Sequence, residues 1–444
     1  MKSIDKNLVL FGLIFTLFGC ASDQDVSANQ NPTVTIPANH STTASVADRP
    51  TGFASVDASE NFGGYGNPVY TVSTREDLIN KAKAGNCIIF IDGMIDMTEG
   101  MLPSSGKTST DKLDTFIQKN TAGKAISASS YAEWKQVYAA NGKSTEDESG
   151  NIKTVRKELQ NAWKKQIQIS VGSNTTIIGL GTNSGIKGGT ISVNNVQNVA
   201  IRNLFIQDAF DPFPKMESGD GYNAEWDCVV IDKSKNVWID HCTFEDTICL
   251  TDKDFDMVTP SDGKTSKNKW QTYDGLLDVK NASDYVTISY CLFRNHDKTT
   301  ILGSGDNVTT DEGHLKVTFN NNYYLNCSQR LPRVRYGQVH IYNNYYDTDG
   351  KGRTNSYCFG VGYNAKIYAE GNYFGSKISK ASTMMSSSKP GKIYANNNEN
   401  YSGVSSTSVG WNPNDQYSYT TLSPEEAKVD VIANAGAGKL TIVQ

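Results

Sequence analysis

Two sets of charged residues in this chain could do chemistry together. The first is Arg330, Arg333 and Arg335, three arginines within six residues, braced by Pro332 and ended by Gly337. Alone, such a cluster marks a surface that faces solvent or a polyanion. The second set is acidic: Glu225 and Asp227, then Asp274 and Asp278. Residues two apart in an extended segment face one side, so Glu225 and Asp227 present their carboxylates together. Four clustered acids repel one another unless a cation binds among them. An all-oxygen donor set with flexible spacing suits Ca²⁺; a merely acidic face is the alternative. Lys298 adds a further positive charge. An acidic polymer bridged by Ca²⁺ would satisfy acids and cations at once.

A repeat must bring these groups together. From about Ser173, short strands with alternating apolar residues recur at 175–178, 199–206, 237–244, 286–293, 317–324, 339–346, 367–374 and 393–398. From Val199 onward their starts are spaced 38, 49, 31, 22, 28 and 26 residues. Variable spacing with a floor near 22 predicts a minimal coil with insertions in loops on one face, as in a β-solenoid. A sandwich would give shorter and more even spacing. In register, Asn322, Asn344, Asn372 and Asn398 share one position, with Cys242 and Cys291 at the same place in earlier coils. Phe244, Phe293, Tyr324, Tyr346 and Phe374 follow shortly after. Neighbouring strands lie about 4.8 Å apart. The Asn column can therefore hydrogen-bond along its length while the aromatic column fills the interior.

The same register orders the charges. Asp227 lies 10 residues before Val237, and Asp278 lies 8 before Val286. Lys298 and Arg330 follow Val286 and Val317 by 12 and 13 residues. An anion column thus runs beside a cation column.

The rest of the chain sets bounds. A net charge of −5 over 444 residues argues against a generally basic nucleic-acid surface. Lys2 and Lys6 precede an apolar run, Leu8 to Phe18, that is short for a membrane span and reads as a signal peptide. Gly19-Cys20 resembles a lipoprotein cleavage box, so residues 1–20 are expected to be removed up to a lipidated Cys20; ordinary cleavage is the alternative. The protein is expected to be exported, as an outer-membrane or cell-surface lipoprotein or else secreted, touching a membrane only through its lipid. Residues 21–51, rich in Ser, Thr and Asn, read as a flexible tether. The folded domain spans 52–444. It opens with strands at 69–72 and 88–91 around a helical segment, 74–84. Residues 111–168 read as a mostly helical insertion, with Trp134, Val137, Tyr138, Val155, Leu159 and Trp163 at helical spacing. Seven cysteines remain beside Cys20; with no Cys-x-x-Cys pair, buried thiols with room for one bridge are expected.

Taken in order, the motifs are Glu225-Trp226-Asp227, Val237-Trp238-Ile239-Asp240-His241, Asp274 to Lys280, Val286 to Tyr290, His296-Asp297-Lys298 and Arg330 to Gly337. They resemble the pectate lyases of polysaccharide lyase family 1 over about 52–400, apart from the insertion. The resemblance implies an all-β, right-handed parallel β-helix. It implies Ca²⁺-dependent β-elimination on α-1,4-polygalacturonate, giving 4,5-unsaturated oligogalacturonides. By motif, Asp227, Asp274 and Asp278 match calcium ligands, and Glu225 a further acidic ligand position. Arg330 matches the catalytic base; Lys298 and Arg335 match contacts to the substrate carboxylate. Asp240 and His241 belong to a signature read as structural, and Arg333 is expected to form a structural ion pair. Arginine is ordinarily protonated, so an arginine base predicts a reaction that prefers alkaline pH. A monomer is expected. The alternatives are a pectin lyase acting on methyl-esterified polymer without metal, and a non-catalytic polysaccharide-binding lipoprotein.

Overall fold

The computed structural model describes residues 43–264 and 268–443. The signal segment, Cys20 and the tether up to residue 42 lie outside them. An 8-stranded parallel sheet runs from Gln168–Ser170 through Thr190–Asn194, Val229–Asp232, Leu277–Lys280, Ile301–Leu302, Arg333–Val334 and Phe359–Val361 to Ser382–Met384. A 16-stranded sheet forms two limbs that share the long strand Thr175–Lys187. The first half of that strand pairs with Gln197–Arg202 and the second with Phe205–Gln207. Each coil therefore supplies three short strands, as in Leu277–Lys280, Asp284–Ser289 and Leu292–Arg294. The molecule is a right-handed parallel β-helix.

Six of the eight runs read from sequence as single strands, from 199–206 to 367–374, are two strands with a bend between them; 175–178 lies within Thr175–Lys187, and 393–398 falls on Lys392–Asn396. The bend is a column of left-handed residues: Asn203, His241, Tyr290, Asn321, Asn343, Gly371 and Asn397 all have positive φ. Asn tolerates that conformation better than most residues because its short side chain bonds locally. This explains much of the Asn content. One residue on, the expected ladder forms. The Oδ1 atoms of Asn322, Asn344, Asn372 and Asn398 accept from the backbone N–H of Cys291, Asn322, Asn344 and Asn372 at 2.8, 2.8, 3.0 and 3.1 Å. Inside it, Phe244, Phe293, Tyr324, Tyr346 and Phe374 stack face to face at 4.8–4.9 Å, the strand spacing itself. Val199, Val237, Val286, Val317, Val339, Ile367 and Ile393 form a second buried row in register.

The third strand of each coil escaped the sequence reading. Ile301–Leu302 and Arg333–Val334 are two residues long, too short for an alternation to show. Of the strands in the 8-stranded sheet, Arg333–Val334 carries Arg333 and Leu277–Lys280 carries Asp278 and Lys280.

Helix α1 (Arg75–Ala84) caps the first coil. The insertion forms α2 (Asp111–Thr121), α3 (Tyr131–Ala140) and α4 (Gly150–Ile167). Thr110 and Ser130 cap α2 and α3 by accepting from Leu113 and Glu133 N–H. Trp134, Tyr138, Val155, Leu159 and Trp163 are buried and continuous with the solenoid core. Trp163 Nε1 donates to Phe210 O at 2.9 Å, and Arg156 forms a two-pronged pair with Glu148. Thr43–Ser45, within the stretch read as tether, pairs in parallel with Thr441–Val443. Helix α5 (Pro424–Asn434) had no sequence expectation. All seven described cysteines are buried and free, so the bridge allowed for does not form among the described residues. No helix among the described residues is long and apolar enough to cross a membrane.

Candidate active site

The acids and cations meet along the 8-stranded sheet. Asp278 and Lys280 alternate outward on Leu277–Lys280, while Leu277 and Val279 point into the core. Lys280 Nζ lies 3.3 Å from Asp227 Oδ2 and 3.4 Å from Asp278 Oδ2, bridging carboxylates of two adjacent coils. Asp227 also accepts from Gly275 N–H at 2.9 Å, and Asp278 from Ile301 N–H at 3.0 Å. A Cβ at Gly275 would stand 2.6 Å from Asp227 Oδ1 and 3.0 Å from Asp278 Oδ1. Both carboxylates thus converge on one small space that a glycine keeps open.

The electrostatics of that space favour a cation. Burial, then the neighbouring Asp278 and Asp274 carboxylates, pushes the Asp227 carboxyl up to about 8, against the pull of Lys280. Burial and Asp274 raise Asp278 as well, opposed by Lys280 and Arg330. Burial opposes the charge on Lys280, but Asp227, Asp278 and Asp274 outweigh it and hold its ammonium above the usual lysine range. The donors are hard oxygens, and two of them already share one ammonium, so the residues fit a hard cation such as Ca²⁺. Among the described residues, no three such groups form a closed cage. The arrangement is a convergent pair, Asp227 and Asp278, with Asp274 alongside.

Asp274 is held from two directions. Its carboxylate pairs with Lys298 at 3.1 Å. Its backbone carbonyl accepts from His296 Nε2 at 2.8 Å, while His296 Nδ1 bonds buried Asp246 Oδ2 at 2.8 Å. Glu225 stands apart from the Asp227–Asp278 pair. Its carboxylate accepts from Gln160 of α4 at 3.1 Å, and its N–H donates to Asp211 at 2.9 Å. It still faces the same cleft of about 600 Å³ as Asp227 and Lys280, one wall of which is the end of α4.

The cations divide into two kinds. Arg335 is occupied: its Nε donates to Asp306 Oδ1 at 2.7 Å and its Nη1 to Gly303 O at 2.9 Å. Arg330 and Arg333 have no carboxylate within 4.0 Å among the described residues, and the Nε of each is buried without an acceptor. The ion pair expected for Arg333 does not form. Burial, then Arg335, pushes the Arg333 guanidinium below the usual arginine range. Arg330 adopts a left-handed backbone, φ 61°, just before the cis Leu331–Pro332 bond. Its carbonyl accepts from Thr300 N–H, and Lys298 bridges to neighbouring Gln329, so Lys298 and Arg330 are fixed on adjacent coils. Strained backbone at a charged cleft is common at functional sites.

His241 lies elsewhere, on a limb of the large sheet. It is 5% exposed, its Nδ1 is 2.9 Å from Asp240, and its ring stacks on Tyr290 at 4.9 Å. Its place in the bend column gives it a structural setting.

Sequence reasoning passed over Lys280, Gln160, Asp306 and the Asp246–His296 pair. Lys280 was readable from its two-residue spacing to Asp278. Asp246 and His296 follow Val237 and Val286 by 9 and 10 residues, an offset as regular as that of Lys298 and Arg330. Gln160 and Asp306 carry no such signal.

The family described as pectate lyase matches residues 98–440 of this chain. A pectate lyase of Bacillus subtilis (strain 168) is 35% identical over 396 residues, 84% of this chain and 87% of the relative. Pectate lyase E of Dickeya chrysanthemi is 47% identical over 214 residues, 48% of this chain and 54% of the relative. Among solved structures, a pectate lyase from Acidovorax avenae subsp. citrulli superposes with a TM-score of 0.77 at 26% identity, covering 95% of this chain and 100% of that one. A pectate lyase bound to a hexasaccharide superposes with a TM-score of 0.70 at 31% identity, covering 89% and 98%.

Proposed function

The chain belongs to the pectate lyase family and is a polysaccharide lyase, and on that premise we propose that it cleaves α-1,4-polygalacturonate by calcium-dependent β-elimination. One observation carries this reading. Two convergent carboxylates, Asp227 and Asp278, lie on coils adjacent to a cation cluster in which Arg330 has no ion-pair partner. A polyanion bridged by a divalent cation fits that charge order. A neutral, fully methyl-esterified polymer would leave the carboxylates uncompensated.

Asp227, Asp274 and Asp278 would hold Ca²⁺, with Glu225 at the edge of the cleft as a further ligand. Bound there, the cation would withdraw charge from a uronate carboxylate and make its C5 proton more acidic. Lys298, braced by Asp274, and Arg335, braced by Asp306, supply fixed positive charge to the same carboxylate. Their ion pairs hold both side chains in place before substrate arrives. Arg330 removes the C5 proton; the electron pair forms the C4–C5 double bond as the C4–O bond breaks. The leaving oxygen takes up a proton, and a 4,5-unsaturated unit remains on the new non-reducing end.

The test is a spectrophotometric assay on polygalacturonate. The ultraviolet absorbance of unsaturated uronates should rise with calcium present and stop when a chelator is added. Turnover that survives exhaustive chelation would remove calcium from the mechanism. Absence of unsaturated product under all conditions would remove the elimination.

A further inference from the structure

Helix α4 meets the chain just ahead of the acidic motif with one of its faces. Gln160 and Trp163 stand four and seven residues after Arg156, so the three side chains share one side of the helix. Each bonds a different residue of the segment 210–213. Trp163 Nε1 donates to Phe210 O at 2.9 Å, Gln160 Nε2 to Asp211 Oδ2 at 3.0 Å, and Arg156 Nη1 to Phe213 O at 3.4 Å. Phe210, Asp211 and Phe213 are all fully buried.

Gln160 alone of the three also reaches the acidic motif. Its Nε2 donates to Glu225 Oε2 at 3.1 Å. The same Asp211 Oδ2 that it bonds accepts from Glu225 N–H at 2.9 Å, and Asp211 Oδ1 accepts from Phe213 N–H at 2.8 Å. Glu225 is therefore held at its backbone by Asp211 and at its side chain by Gln160. Gln160 is buried, whereas Glu225 is exposed on the cleft.

The chemistry of this contact specifies the residue type. Oxygens of two carboxylates meet one nitrogen, and an ionised carboxylate only accepts. The group between them must bring two hydrogens, and a primary amide does so without adding charge. A glutamate there would repel both acids. An apolar side chain would leave the buried Asp211 short of a donor and Glu225 free to turn. A lysine would neutralise Glu225, whereas an amide holds it and leaves its charge for a cation.

We propose that Gln160 is a positioning residue for the calcium site: together with Asp211 it holds the Glu225 carboxylate at the cleft edge, and the helical insertion thereby sets how tightly the enzyme binds calcium. Gln160 acts only through Glu225. This inference rests on the reading of the site as a calcium-dependent polygalacturonate lyase with Glu225 among the ligands.

The experiment measures calcium affinity by calorimetry, without polymer, for wild type, Gln160→Leu, Gln160→Met, Glu225→Ala and the double variant Gln160→Leu with Glu225→Ala. Melting temperature in chelator is recorded for each, and activity on polygalacturonate is followed against calcium concentration. Gln160→Leu and Gln160→Met remove both donors with different packing, and each should raise the calcium Kd about tenfold. Their activity should be low at limiting calcium and recover as calcium is raised. In the Glu225→Ala background Gln160→Leu should weaken calcium no further, because the two residues act as one unit. An unchanged Kd in both Gln160 variants, or in Glu225→Ala, would overturn the positioning role. So would a Gln160→Leu effect that is equally large without Glu225, which is what a general packing defect with a lowered melting temperature would give. A wild type that binds no calcium or forms no unsaturated product would overturn the functional reading and this role with it; a wild type that does both, beside indifferent Gln160 variants, would overturn the role alone.

Discussion

Arg330 and Lys298 differ in what surrounds them, and that difference separates their roles. Lys298 is paired with Asp274, which fixes its ammonium where it can orient a carboxylate. Arg330 has no carboxylate partner and a backbone forced into the left-handed region, which aims its side chain independently of the strand that follows. Lysine at this position would keep the charge and lose the planar, delocalised head. Arg330→Lys is expected to lose most turnover while calorimetry still detects polymer binding; wild-type turnover in that variant would sink the base assignment. His296 acts at one remove. It joins buried Asp246 to the Asp274 carbonyl, so it sets where that acid stands. Groups of this kind behind metal ligands typically change affinity by about ten- to hundredfold. For His296→Asn we expect weaker calcium binding by calorimetry within that range, with the circular dichroism of the β-helix retained.

At the scale of elements, the columns hold the coils in register, and register holds the site together. Asn344 is fully buried and makes bonds in four directions, to Asn322, Asn372, Phe319 and Tyr342. Asn344→Ala leaves the Asn322 N–H without its acceptor and removes the amide that donates to Phe319 O and Tyr342 O inside the core. Each such loss costs roughly 1–3 kcal/mol, so chemical denaturation should show a loss of about 3 kcal/mol. A loss under about 1 kcal/mol would mean that water replaces the ladder. The insertion matters for the same positional reason. Gln160 spans Asp211 and Glu225, and its helix forms a wall of the cleft. Helix α4 is therefore part of the site's architecture, which its apolar spacing alone did not reveal.

Across the whole molecule, the described N-terminal segment is tied to the solenoid through charge. Arg202 bonds Asp48 and Asp240, and the strand Thr43–Ser45 joins the C-terminal strand. Burial favours the neutral form of Asp240, but His241 and Arg202, with the Ser289 hydroxyl, outweigh it and hold the carboxyl down to about 2 from its ordinary 3.8. A carboxyl whose pKa is depressed by folding stabilises the native state above its unfolded pKa and loses that contribution as pH falls through the folded value. Asp240 should therefore contribute about 2 kcal/mol above pH ~4, lost between about pH 4 and pH 2. Stability measured against pH should fall less steeply across that window in Asp240→Asn than in wild type. Equal slopes would show that other carboxylates govern acid unfolding.

What was legible in the sequence follows from how local each signal is. The solenoid was legible because each coil writes its own pattern: an apolar strand, an Asn or Cys, an aromatic, repeated at 22 residues or more. The order of the charged motifs was legible because it rides on that pattern. The two-residue strands of the smaller sheet, one of which carries Arg333, were not, since two residues cannot display an alternation. Nor could spacing say which acid each cation would find. The chain by itself determined a parallel β-helix with acids and cations on neighbouring coils. Only the tertiary structure decided that Lys280 lies between Asp227 and Asp278, that Lys298 and Arg335 are neutralised, and that Arg330 and Arg333 are left bare. Ion pairing depends on distances of a few ångström between coils whose loops vary in length, and no repeat in the sequence encodes those distances.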